Sequence, residues 1–508
     1  MTQYSSVRDL LNAGAAPAPA LGAPDRPALT FEALRRHADT VVSSLNGAGF
    51  APGDRIAIVL PNGAAMASAF ITLACGFTTA PLNPAYREDE FDFYLDDLNA
   101  RALIVAAGVD SPARAVAARR GIPVYELHED ETAPAGLFHL EGPGLAAAAG
   151  TPVFAGSEDV ALILHTSGTT SRPKMVPLSG RNVCASAAHI KDALRLSAED
   201  VCLNIMPLFH IHGLIAAVLS SLGAGASVVC SPGFNALRFF AWMEAARPTW
   251  YTAVPTMHQA ILARAGRNAE ALASSRLRLI RSSSASLPPQ VMAELEETFG
   301  APVLESYGMT EAAHQMAANP LPPADRRPGS VGVAAGPDVA IMDEAGGLLP
   351  ADTVGEVVIR GPNVTAGYLD NPEANAGAFT DGWFRTGDQG VLDGAGYLTI
   401  TGRLKEIINR GGEKISPREV DEVLMDHPAV AQAVTFAMPH DKLGEEVAAA
   451  VVLREGGAGD EKDIRLFASE RLADFKVPRR VLILEEIPKG ATGKLQRIGL
   501  AEKLGLGG

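Results

Sequence analysis

Short apolar runs recur along this chain between alanine-rich segments of helical length, and that alternation restricts the fold more than any other feature. Arg55-Ile-Ala-Ile-Val-Leu60 and Ala102-Leu-Ile-Val-Ala106 read as strands, and residues 30–46 and 88–98 read as helices. Apolar strands separated by helices belong in parallel sheets covered on both faces, so the pattern predicts α/β layers. It returns over residues 226–303, with strands expected at 226–230, 249–252 and 277–280. Over residues 329–401, glycine and proline punctuate short alternating runs such as Gly355-Glu-Val-Val-Ile-Arg360, which predicts a small β-rich subdomain. From about Leu404 the charge is denser, with helices expected near 417–427 and 461–472 and strands near 430–437 and 446–453. The expected division is therefore a large amino-terminal domain, residues 1–403, containing the layered α/β sheets and the β-rich subdomain, followed by a small α+β domain, residues 404–508.

Two uncharged stretches, residues 56–86 and 211–236, raise the question of a membrane span, which needs about 20 apolar residues. Pro61, Asn62, Gly63 and Pro81 break the first, and Ser220, Ser221 and four glycines break the second, so both read as buried βαβ units. A chain of 508 residues, 47% hydrophobic and 20% charged, has ample apolar surface for more than one globular core. Its net charge of -15 argues against nucleic-acid binding through broad electrostatics, so an anionic ligand must meet local positive groups. Cys75, Cys184, Cys202 and Cys230 are widely spaced, without a Cys-x-x-Cys pair, and read as reduced thiols. Residues 1–11 lack the basic start and apolar run of a secretory signal, and the expectation is a cytoplasmic protein without a transmembrane segment.

The apolar run Val160-Ala-Leu-Ile-Leu164 opens directly into His165-Thr-Ser-Gly-Thr-Thr-Ser-Arg-Pro-Lys174. A strand leading into small hydroxylated residues and glycine offers backbone N–H groups and hydroxyls around a concavity, and Arg172 and Lys174 add charge suited to phosphate. It is not a Walker A loop, because no Gly-Lys-Ser/Thr follows the first glycine at the required spacing. Alone, the segment is equally an ordinary solvated Ser/Thr loop.

Together with Tyr307-Gly-Met-Thr-Glu311, Arg385-Thr-Gly-Asp388, Gly402-Arg403 and Gly493-Lys494, however, this loop resembles the ordered motif set of the adenylate-forming superfamily of acyl-CoA synthetases, luciferases and peptide-synthetase adenylation domains. The resemblance spans nearly the whole chain. It implies an AMP-forming acid–thiol ligase using ATP, Mg2+ and coenzyme A, with a small mobile carboxy-terminal domain that rotates between two half-reactions. By the same resemblance Thr166, Ser167, Gly168, Thr169, Thr170 and Lys174 grip the phosphates, Tyr307 stacks on adenine, Glu311 binds magnesium and Thr310 assists. Asp388 holds the ribose hydroxyls and Arg403 secures the nucleotide; Lys405 is the hinge, and Gly411 and Gly412 line the pantetheine path, the alternative being a simple turn before the helix at Pro417. Lys494 is the catalytic lysine, whose ammonium would stabilise charge where a carboxylate meets a polyphosphate. Met175 departs from the family pattern, which has glycine there.

The acid pocket would lie among Phe209-His-Ile-His212, Ser282-Ser-Ser-Ala-Ser286 and residues 307–314. These segments are polar, whereas a fatty chain gains about 0.8 kcal/mol for each CH₂ buried among apolar side chains. A small polar acid fits better. Pro207-Leu-Phe-His-Ile-His-Gly-Leu214, Trp250-Tyr-Thr-Ala-Val-Pro-Thr256 and residues 282–287 resemble the oxalate–CoA ligase branch, which implies Ser284 and His314 as partners of a distal carboxylate and His210 as a gate. Arg281 is the exception to the lack of an obvious arginine clamp, and with its direction open malonate is less favoured. The alternatives are a medium-chain or aromatic acyl-CoA synthetase, an adenylation module serving a carrier protein, and a silent binding protein; intact Lys494, Glu311 and Asp388 speak against the last.

Overall fold

The structure is a computed structural model that describes residues 4–145, 151–166, 173–454, 456–488 and 495–507; the elements given below are those among the described residues. The chain forms two compact units. Residues 1–327, 332–338 and 360–379 make the first, and residues 328–331, 339–359 and 380–508 make the second. The β-rich residues 380–403 thus group with the carboxy-terminal segment.

The first unit holds two sheets. One is ordered Phe138–Glu141, Val124–Glu129, Ala102–Ala106, Arg55–Val59, Thr78–Pro81, Val160–Thr166 and Lys174–Ser179, mostly parallel with an antiparallel pair at each edge. The other runs Val333–Ala334, His314–Ala318, Val303–Met309, Leu279–Ser283, Trp250–Ala253, Val201–Asn204, Ser227–Cys230, Pro19–Ala23 and Arg26–Thr30, with a parallel centre. Helices cover them as the alternation predicts. Phe31–Gly47 starts where the Thr30 hydroxyl accepts from the Ala33 N–H, and buries Phe31, Leu34, Ala38, Val41, Val42 and Leu45 at helical spacing.

The first uncharged stretch is strand Arg55–Val59, helix Ala64–Ala74 and strand Thr78–Pro81. The second contains the π-helical turn His212–Leu219, the helical turn Ser220–Gly223 and strand Ser227–Cys230, nearly all of it buried. No helix among the described residues is long and apolar enough to cross a membrane. The four cysteines are free and buried, and burial pushes the Cys184 and Cys230 thiols up to about 12. The strand expected at 277–280 forms later, at Leu279–Ser283. Parallel registers on both sides, Arg281 opposite Thr252 and Leu304, carry Arg281, Ser282 and Ser283 into the sheet although they are polar. Apolar periodicity cannot register that.

In the second unit, Leu398–Arg403 pairs with Trp383–Leu392, which pairs with Gly355–Arg360. A second sheet is ordered Glu413–Ile415, Ile408–Arg410, Gly444–Leu453 and Val430–His440, with Arg480–Ile483 beside Gly444–Leu453. Helices Pro417–Met425 and Glu461–Ser469 contribute Val420, Leu424 and Ile464 to a core with Ile408, Val447, Ala449, Val451 and Val481.

Candidate active site

Thr166 and Lys174 stand opposite each other across the antiparallel pair that closes the hydroxyl-rich loop. Ser167, Gly168, Thr169 and Thr170 lie outside the described residues, as does Lys494. The Lys174 ammonium sits 4.5 Å from the centre of the Tyr368 ring, a cation–π contact. The Tyr368 hydroxyl donates to Glu311 Oε1 at 2.9 Å. A lysine from the loop expected to hold phosphate and the carboxylate expected to bind magnesium are thus joined through one aromatic side chain. The loop carrying Tyr368 is tied down on both sides: the Thr365 N–H donates to the Glu311 carbonyl at 2.8 Å, and the Leu369 N–H to the Met175 carbonyl at 3.0 Å. Met175 is a strand residue opposite His165, and its side chain is buried in the core that contains Ile163 and Phe91. The position therefore uses the larger side chain for packing.

Glu311 is buried and belongs to the turn Thr310–Ala312, which reverses strand Val303–Met309 into His314–Ala318. The reversal is tight: Ala313 and His314 have φ of 46° and 98°, and a Cβ on Gly308 would come within 1.7 Å of the His314 carbonyl oxygen. Only glycine permits that approach. Tyr307, in the same strand, is half-buried opposite Ala317, and Thr310 is half-buried beside Glu311.

The acid-pocket candidates meet around Arg281, which is completely buried. Its Nη1 donates to His212 Nε2 at 3.3 Å and to Thr252 Oγ1 at 3.4 Å; its Nη2 donates to His314 Nδ1 at 3.4 Å and to Gln315 Oε1 at 3.1 Å. His212 in turn lies 3.1 Å from Ser284 Oγ through Nδ1 and 2.6 Å from Thr252 Oγ1 through Nε2. The His212 and His314 rings meet edge to face at 5.0 Å. Ser284, just past the strand Leu279–Ser283, has φ of 75°, a left-handed conformation unusual for serine. Burial lowers the Arg281 pKa to about 9, which leaves it charged at neutral pH. His210 is half-buried, and its Nδ1 accepts from the His212 N–H at 3.3 Å.

In the second unit, Asp388 and Arg403 are directly opposed in the pair of Trp383–Leu392 with Leu398–Arg403, and Arg403 Nε donates to Asp388 Oδ1 at 2.8 Å. The Asp388 side chain is 7% exposed and that of Arg403 is 44% exposed, so the carboxylate is fixed while the guanidinium remains reachable. Lys405 is exposed in the turn that follows. Gly411 and Gly412, at φ of 60° and 103°, form the two-residue turn between Ile408–Arg410 and Glu413–Ile415. Positive φ at both central residues is what such a hairpin requires, so the turn accounts for both glycines.

Residues 12–369 match the family model described as AMP-binding enzyme, and residues 419–494 match that of the AMP-binding enzyme C-terminal domain. The chain belongs to the AMP-binding enzyme family. This AMP-binding enzyme is 46% identical to an oxalate–CoA ligase of Arabidopsis thaliana, over 91% of its own length and 90% of the relative. It is 42% identical to an oxalate–CoA ligase of Saccharomyces cerevisiae, covering 91% and 88%. Among solved structures, ATP-bound MatB from Rhodopseudomonas palustris superposes with a TM-score of 0.89 at 30% identity, with 98% of each chain covered. Sequence reading of the AMP-binding enzyme passed over His212, Thr252, Gln315 and Tyr368. The signals available were a histidine at the head of the apolar run Gly213-Leu-Ile-Ala-Ala-Val-Leu219 and an aromatic residue closing the Gly/Pro/Asn-rich stretch 361–367.

Proposed function

We propose that this AMP-forming acid–CoA ligase activates oxalate. The observation that carries the proposal is the hydrogen-bonded cluster of Ser284, His212, Thr252 and His314, which places polar side chains where a fatty acid would need apolar surface. The oxalate–CoA ligases among its relatives agree with this reading. In the first step one carboxylate of the acid attacks the α-phosphate of ATP and pyrophosphate leaves. In the second, the CoA thiol attacks the acyl-adenylate and AMP leaves.

Ser167 to Thr170 with Thr166 and Lys174 bind the β- and γ-phosphates in this reading, Tyr307 stacks on adenine, and Asp388 and Arg403 hold the ribose side of the nucleotide. Glu311 with Thr310 forms a hard oxygen set suited to magnesium, since the Tyr368 hydroxyl fixes one carboxylate oxygen of Glu311. A magnesium ion held there would supply positive charge to the phosphates. Lys494 stabilises charge at the reacting carboxylate, and His210 and Ser284 line the acid. Residues 1–403 and 404–508 are the two domains of this scheme, with Lys405 as hinge and Gly411–Gly412 on the CoA path, and the compartment is the cytoplasm.

The test is CoA-dependent AMP formation with oxalate, malonate, acetate, benzoate and octanoate side by side, repeated with Lys494→Ala. Preference for oxalate, lost in the variant before adenylate forms, is the expected result. Preference for benzoate or octanoate overturns the choice of acid, and failure of free CoA where a carrier protein succeeds overturns the choice of thiol.

A further inference from the structure

Arg281 carries a positive charge with no exposed surface, and among the described residues no carboxylate is a hydrogen-bond or ion-pair partner of it. Its four terminal contacts all go to neutral acceptors, and its Nε has no hydrogen-bond partner although it is buried. A buried charge is ordinarily paired, because leaving water is costly without a counter-charge. A fold that holds an unpaired cation beside two histidines is prepared for an anion that arrives from outside.

The contacts also have a direction. A guanidinium only donates, so His212 Nε2 and His314 Nδ1 must accept from it, and each neutral ring carries its proton on the other nitrogen. The Thr252 hydroxyl fits the same assignment by donating to His212 Nε2. His212 Nδ1–H then donates to Ser284 Oγ, which leaves the serine hydroxyl to donate onward. The chain Arg281, His212, Ser284 thus ends on a serine hydroxyl whose O–H is left to donate, and that serine is half-buried. His314, accepting at Nδ1, likewise carries its proton on Nε2.

We propose that Arg281 is the positioning residue that makes this ligase select a small dicarboxylate over a monocarboxylate of equal length. It keeps His212 and His314 in their donating tautomers, and its unbalanced charge is matched when a second carboxylate enters. The inference rests on the proposed function, and it deepens that reading by naming the group that discriminates.

Two-carbon acids separate the two ideas. Steady-state rates with oxalate, glycolate and acetate are measured for the wild type, Arg281→Gln, Arg281→Lys and Ser284→Ala, together with KM for MgATP and the melting temperature. If the wild type does not favour oxalate, the proposed function fails whatever the variants do. If it does, Arg281→Gln is expected to raise KM for oxalate by about 30-fold or more, because the buried charge that balances the second carboxylate is gone. KM for MgATP and kcat/KM for glycolate should then stay within about threefold, and Arg281→Lys should restore part of the oxalate preference. An equal loss on all three acids, or an unchanged oxalate-to-glycolate ratio, overturns the role of Arg281. Should Arg281→Gln fail to fold, Ser284→Ala decides: it removes the outward donor, so an unchanged ratio in that variant also overturns the proposal.

Discussion

Arg278 and Arg281 stand three residues apart at the strand Leu279–Ser283 and carry the same charge in different company. Arg278, just ahead of the strand, donates from Nε and Nη2 to the two oxygens of Asp200 at 2.6 and 2.8 Å, and its remaining contacts reach the Leu194 and Arg195 carbonyls. Asp200 is completed by the Ser197 N–H and the Thr249 hydroxyl. That end of the strand is closed upon itself. Arg281, at the middle of the strand, is more deeply buried yet meets only histidines, a threonine and a glutamine. The carboxyl ends of neighbouring strands carry the other candidates as well: Val303–Met309 leads into Thr310 and Glu311, and in the second sheet of that unit Val160–Thr166 ends at Thr166. In open parallel sheets the carboxyl edge is where loops diverge and ligands enter, so satisfied charges gather at one edge and expectant ones at the other.

The comparison predicts that variants at the carboxyl edge change activity and those at the opposite edge change stability. The largest effect is expected for Glu311→Gln, which keeps the shape but removes the charge: kcat should fall by about 10²- to 10³-fold with a melting temperature close to wild type. A large drop in melting temperature with near-normal kcat would erase the distinction. Next comes Asp200→Ala, expected to cost about 2–3 kcal/mol in denaturant unfolding, because it strands a partly buried guanidinium, while the ratio of oxalate to glycolate activity holds.

The same pair has a pH signature. Burial alone would raise the Asp200 pKa, but the Arg278 guanidinium, the Ser197 N–H and the Thr249 hydroxyl outweigh it and hold the carboxyl below its usual value. A depressed folded-state pKa contributes stability that is present above the unfolded value, about 3.9, and lost as pH falls through the folded one. Wild-type melting temperature should therefore drop more steeply below pH 4 than that of Asp200→Asn; parallel profiles would remove Asp200 from the account.

Smaller effects sharpen the boundary. Tyr368→Phe deletes the hydroxyl that orients Glu311, and is expected to reduce kcat by about tenfold or less, near 1 kcal/mol, with KM for the acid unchanged. Thr30→Ala removes a helix cap far from these candidates in sequence, and should cost about 1 kcal/mol of stability with unchanged kinetics. A kinetic effect in Thr30→Ala would show that stability and activity are not separable in this way.

Much of this was legible in the linear chain because it depends on local rules. The strand Arg55–Val59, the helix over residues 31–47 and the strand Ala102–Ala106 each follow from the spacing of their own apolar residues. Motifs in order were enough to identify the family. The acid pocket was less legible. His210 and His212 are indistinguishable in a string, and the backbone of the π-helical turn beginning at His212 is what aims that histidine at Ser284 and Thr252. Tyr368 lies 57 residues from the glutamate it contacts, and nothing local announces the pairing.

By itself, then, the sequence determined the α/β layering, since apolar periodicity is carried by each residue wherever it sits, and its resemblance to the family supplied the phosphate and magnesium candidates. Only the tertiary structure decided that Arg278 is neutralised and Arg281 is not. Both are arginines near the same strand, and the difference is whether Asp200, 78 residues away from Arg278, or two histidines from other elements arrive beside the guanidinium. Charge is a property of the residue; whether that charge is already satisfied is a property of what the fold packs against it.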